Sequence, residues 1–142
     1  LSTFIFNPFL IPPPVEVSAA LGDASHLPGA LALAAAGAAA CGPAFVKVGL
    51  LGSARAEQAV ELLTAVQQAA EQANPRTRVI AVAYADAARV GGLPPQDLPR
   101  VARRAGISGV MLDTAVKDGV SKEESEKLKK DLAAAGATVE VK

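Results

Sequence analysis

Two lysines in this chain sit where an ordinary surface cation would not be expected. All seven arginines fall between Arg55 and Arg104, and six of the seven lysines fall from Lys117 onward. The central segment therefore uses arginine at its exposed positions, which leaves Lys47 and Lys117 asking for a chemical explanation. Lys47 lies between Val46 and Val48 and is followed by Gly49-Leu50-Leu51-Gly52. An amine kept among apolar groups is held in its charged form less firmly than one in water, so it can serve as a base or attack a carbonyl, which arginine cannot do. The glycines at 49 and 52 form a flexible turn whose amides could approach an anion such as phosphate. The plainer alternative has Lys47 pointing out of an edge strand with its charged end in water.

Lys117 belongs to Asp113-Thr114-Ala115-Val116-Lys117-Asp118-Gly119, which puts two carboxylates and an amine in one loop. A carboxylate beside a lysine can stabilise an iminium or shuttle protons; alternatively Asp113 caps the turn and Lys117 pairs with Asp118 at the surface. Tyr84-Ala85-Asp86 offers a phenol and a further carboxylate, although Asp86 reads more readily as the cap of a helix or turn. Asp23, in Gly22-Asp23-Ala24-Ser25-His26, could face the same place, whereas His26 reads as a loop residue. No Ser-His-Asp order is present. One cysteine, Cys41, and one histidine supply neither an internal disulfide nor a zinc ligand set, so no metal is expected.

Lys47 falls within, and the other candidates just after, short apolar runs in a chain that alternates such runs with longer amphipathic ones. That is the pattern of strands and helices building a parallel sheet. Strands are predicted over 15–21, 45–49, 78–83, 109–112 and 138–141. Helices are predicted over about 29–40, 53–73, 95–105 and 121–135. The second helix has Ala59, Val60, Leu63, Val66 and Ala70 at helical spacing. Pro95 suits a helix start, and Ser121 with Glu124 forms a capping box. About five strands and four helices are too few for a complete (β/α)8 barrel of about 250 residues. The expectation is an α/β domain that is a partial barrel or an open parallel sheet, with ligands at the C-terminal ends of its strands.

The 142 residues carry 14 basic and 14 acidic side chains, so no net field favours nucleic acid or anionic lipid. The apolar opening 1–14 holds three of the four phenylalanines and is broken by Pro8 and Pro12 to Pro14. It reads as an irregular arm or junction ahead of a single domain over 15–142, and the expected location is cytoplasmic. Ten of the 28 charged residues fall from Val120 onward, marking a compositional seam near 119–120. Five strands that close no ring leave two edges, so a homo-oligomer is expected.

Ser18-Ala19-Ala20-Leu21-Gly22-Asp23, Pro28-Gly29, Phe45 to Gly52, Tyr84 to Gly91 and Met111 to Gly119 resemble (5-formylfuran-3-yl)methyl phosphate synthase over roughly residues 15–119. The resemblance implies a partial TIM barrel and a carbon-carbon lyase of methanofuran biosynthesis that condenses glyceraldehyde 3-phosphate without an external cofactor. It implies that Lys47 is the proton-accepting lysine and that Asp113 and Lys117 are the active-site Asp and Lys. Asp23, Gly49, Gly52 and Asp86 are the expected substrate-binding residues around a small phosphorylated substrate. The family's Asp-x-Lys-Asn-Pro segment, which carries its Schiff-base lysine, has no counterpart before Val15, so impaired turnover is expected. Gly119 to Lys130 and Ala135 to Lys142 resemble the closing helix and strand of the bacterial ribosomal stalk protein, which implies a chimera joined at the seam. The competing expectation is a catalytically silent partial-barrel scaffold that oligomerises.

Overall fold

The computed structural model describes residues 15–107, 109–116, 122–134 and 139–141. The arm 1–14, the seam at 119–120, Ser121 and Lys117 lie outside them. Five strands form one sheet: β1 (Ser18–Ala20), β2 (Phe45–Gly49), β3 (Arg78–Tyr84), β4 (Gly109–Asp113) and β5 (Val139–Val141). Each pairs in parallel with the next, in the order β1-β2-β3-β4-β5. Five α-helices connect them rather than the four expected: α1 (Pro28–Ala40), α2 (Ala56–Ala73), α3 (Ala87–Val90), α4 (Leu98–Arg104) and α5 (Lys122–Ala134). The unanticipated one is α3, a single turn closed by Gly91 at φ 70°. Pro95 opens a short 3-10 turn, Pro95–Asp97, that leads into α4.

Strand order explains where the helices lie. Every crossover advances one strand in the same direction, and parallel crossovers are right-handed, so successive helices fall on one face of the sheet. The core is built there. Val46 and Val48 of β2 and Val79, Ala81 and Ala83 of β3 pack against Leu31 and Ala35 of α1, Leu63 and Val66 of α2, and Val101 of α4. Alanines at 35, 39, 59 and 70, all fully buried, let helices and sheet approach closely.

Alternation along each strand sends the remaining residues to the opposite face. The register sets them in rows: Ala20, Lys47, Ile80 and Gly109; then Gly49, Val82 and Met111; then Tyr84 and Asp113. Because β2 lies between β1 and β3, Lys47 is on an interior strand, and the edge-strand alternative for it does not hold.

Candidate functional site

Those three rows converge on an open pocket of about 170 Å³. Its lining includes Lys47, Gly49, Tyr84 and Asp113, together with Asp23 from the loop after β1. Lys47 is half-buried and enters from the deepest row. Gly49 stands two residues nearer the strand end, roughly 7 Å along the strand, and carries no side chain, so the space above Lys47 stays open.

Gly49 is glycine for a visible reason. A Cβ placed there would fall on the Asp23 carboxylate and within 2.7 Å of the Tyr84 hydroxyl. Asp23 in turn ties together the ends of three successive strands. Its Oδ1 accepts the Leu51 amide at 3.1 Å, and the Tyr84 hydroxyl donates to Oδ1 at 2.8 Å and to Oδ2 at 2.7 Å. Burial, followed by the hydrogen bond to Asp23 and the charges of Asp23, Asp113 and Asp86, pushes the Tyr84 phenol far above its ordinary range. It stays protonated, and its proton belongs to the pair.

Asp113 sits at the end of β4 across from Tyr84, and its Oδ1 accepts the Thr114 amide at 2.8 Å, so it both closes its own turn and faces the pocket. Asp86 has a different task from the residues that line the pocket. It occupies the residue before α3 but makes no cap bond with its side chain. Instead its buried carboxylate accepts the Ala115 and Val116 amides, each at 2.9 Å. Burial pushes this carboxyl up, but the backbone hydrogen bonds from Ala115 and Val116 and the nearby Arg89 charge outweigh it and hold it below the usual carboxylate value. Asp86 thus fixes the segment that leads toward Lys117, whose own placement lies outside the described residues.

The turn after β2 is occupied from within. The Gly49 amide donates to Gly22, Leu50 to Val82, Leu51 to Asp23 and Ser53 to Leu50. Gly52 adopts φ 79°, the left-handed region open to glycine, and lies outside the pocket lining. A carboxylate stands where the glycine pattern suggested an anion from outside. In the sequence Tyr84 offers a phenol alone; its bond to Asp23 spans 61 residues and leaves no local signal. Among the described residues no group of His, Cys, Asp and Glu could hold a metal ion, and no helix is long and apolar enough to cross a membrane.

The chain is similar in sequence to known proteins. A sequence model described as 4-HFC-P synthase matches residues 8–136, a stretch that runs across positions 119–120. A protein of Methanococcus maripaludis strain C7 named (5-formylfuran-3-yl)methyl phosphate synthase is 48% identical over 103 residues, covering 72% of this chain and 44% of the relative. Proteins of the same name from Methanopyrus kandleri and Methanocaldococcus jannaschii are each 46% identical, over 78% and 76% of this chain and 46% of their own length. The chain spans less than half the length of these curated relatives.

Proposed function

Since this chain belongs to the 4-HFC-P synthase family, we propose that its pocket carries out proton transfers of a carbon-carbon lyase acting on a phosphorylated three-carbon aldehyde, glyceraldehyde 3-phosphate. The observation that carries the reading is the convergence of Lys47, Asp23 and Asp113 on one pocket at the C-terminal ends of parallel strands. Lys47 removes a proton from the carbon beside the carbonyl, and the carboxylates sharing the pocket stabilise the ammonium it becomes. Asp113 and Lys117 act on the substrate oxygens. Gly49 keeps the path to Lys47 clear, Gly52 lets the turn fold back, and Asp86 orders the loop that bears Lys117.

The unbroken strand order supports a segment of a TIM barrel over a doubly wound sheet, whose order reverses at its ligand crevice. We assign to this stretch enolisation of the triose phosphate, the proton transfer for which Lys47 stands in the pocket. It works in the cytoplasm, without a cofactor, on a small phosphorylated substrate.

The test is hydrogen exchange at the carbon beside the carbonyl of dihydroxyacetone phosphate in deuterated water, together with borohydride trapping of glyceraldehyde 3-phosphate and peptide mapping. Lys47→Gln is expected to slow exchange by about 10²–10⁴-fold. An adduct on Lys47 would show that this amine forms the imine itself. Neither exchange nor adduct in the unaltered chain would sink the enzymatic reading. The second reading, a silent oligomerising scaffold, draws on β1 and β5 being the outermost strands among the described residues; it predicts no thermal stabilisation by triose phosphate.

A further inference from the structure

The pair formed by Tyr84 and Asp23 does more than line the pocket. A phenol has one proton, and here it is shared between both oxygens of Asp23 at 2.8 and 2.7 Å, while the Leu51 amide takes a further position on Oδ1. A carboxylate has about four acceptor positions. Among the described residues nothing besides Tyr84 donates to Oδ2, and Asp23 is exposed toward the pocket mouth. The carboxylate is therefore fixed in orientation by its partners and retains unused acceptor capacity facing the ligand space.

Tyr84 is unsuited to be the acid of the reaction. Giving up its proton would leave a phenolate against the Asp23 carboxylate, two negative charges in direct contact. Its fixed role is to hold.

We propose that Asp23 is the residue that recognises a hydroxyl group of the substrate, and that Tyr84 is its positioning residue. This rests on the reading of the pocket as a site for three-carbon phosphates, and it names the ligand feature selected there. An acceptor held in place favours the ligand that brings the hydroxyl over an analogue lacking it, by about the net worth of one hydrogen bond to a charged group. Gly49 belongs to the same device, since only a residue without a side chain admits the pair.

The experiment is calorimetric binding to the full chain of two ligands that cannot condense, glycerol 3-phosphate and propyl phosphate, which differ in their hydroxyls. The unaltered chain is expected to prefer the hydroxylated ligand by about tenfold or more, and Tyr84→Phe and Asp23→Asn are expected to bring the ratio close to one. A weakening of both ligands by the same factor in Tyr84→Phe would mean a merely structural role and overturn the proposal. So would an unaltered chain that shows no preference or binds neither. Because binding is measured without turnover, hydroxyl preference in a chain that fails to exchange protons would leave this assignment standing and remove the catalytic reading alone.

A second readout needs no ligand. Tyr84 is the one tyrosine of the chain and there is no tryptophan, so tyrosinate absorbance reports this phenol alone. In Asp23→Asn its ionisation is expected to move down toward the ordinary value of 10.0, and unchanged ionisation would overturn the pairing.

Discussion

At position 49 the sequence offers a glycine inside a strand, which ordinarily weakens a strand by leaving nothing to pack. Here the missing side chain is the space that Asp23 and Tyr84 occupy. Gly49→Ala is therefore expected to destabilise the fold by about 1–3 kcal/mol, since the carboxylate and phenol must move for the methyl group to fit. Urea unfolding measures the loss, and a change within experimental error would show that the pair is not packed as described. Tyr84 adds a pH dependence. Its ionisation is raised in the folded chain, so its contribution to stability is complete below about pH 10, the ordinary value, and is lost as pH climbs through the raised value. Stability of the unaltered chain should fall more steeply above pH 10 than that of Tyr84→Phe. Lys47 was readable as a candidate because it interrupts an apolar run in a segment that otherwise uses arginine, and Asp113 because it follows one. The Asp23–Tyr84 bond was not, because nothing local couples the loop after β1 to the end of β3.

Among the elements, β2 to β5 were legible to within a residue of their bounds, as for Phe45–Gly49, whereas β1 (Ser18–Ala20) is shorter than the expected 15–21. The helices α1 and α2 were equally plain. α3 was missed because Ala87–Val90 is shorter than the period that would identify it. Asp86 shows the same limit: its position before α3 fits a cap, yet its carboxylate crosses 29 and 30 residues of sequence to the loop after β4. That loop depends on two carboxylate acceptors at once. An asparagine offers one acceptor and puts an NH2 group against the other amide, so Asp86→Asn is expected to cost about 1–3 kcal/mol. The sign with pH follows from the direction of its ionisation. A carboxyl held below 3.8 stabilises the fold above that pH and loses its contribution as pH falls through the lowered value. The variant should lack that part of the acid destabilisation, which unfolding at pH 7 and pH 3 would resolve.

For the whole molecule, the decisive fact is that one rule places both core and site. Consecutive parallel pairing with right-handed crossovers sends the helices to one face, so the rows bearing Lys47, Gly49 and Tyr84 are left on the other. Among the described residues the same topology ends in two edges, β1 and β5. An edge strand presents unpaired backbone groups and invites pairing with another chain, which is the physical ground for proposing that this chain forms a homo-oligomer. β1 allows a clean test. Val17 O accepts the amides of Ala44 and Phe45 and the Leu21 amide donates to Lys47 O, so the odd-numbered residues bond inward to β2. Ser18 and Ala20, between them, direct their backbone groups outward along the edge. A proline at an outward position removes an exposed donor and leaves the β1–β2 ladder intact. Ser18→Pro is therefore expected to shift the mass measured by light scattering toward the monomer with little change in urea stability, while Ala19→Pro, which strikes the inward ladder, should destabilise the fold. A monomer in the unaltered chain at tens of micromolar would remove the homo-oligomer proposal, and equal mass in Ser18→Pro would move the interface away from β1.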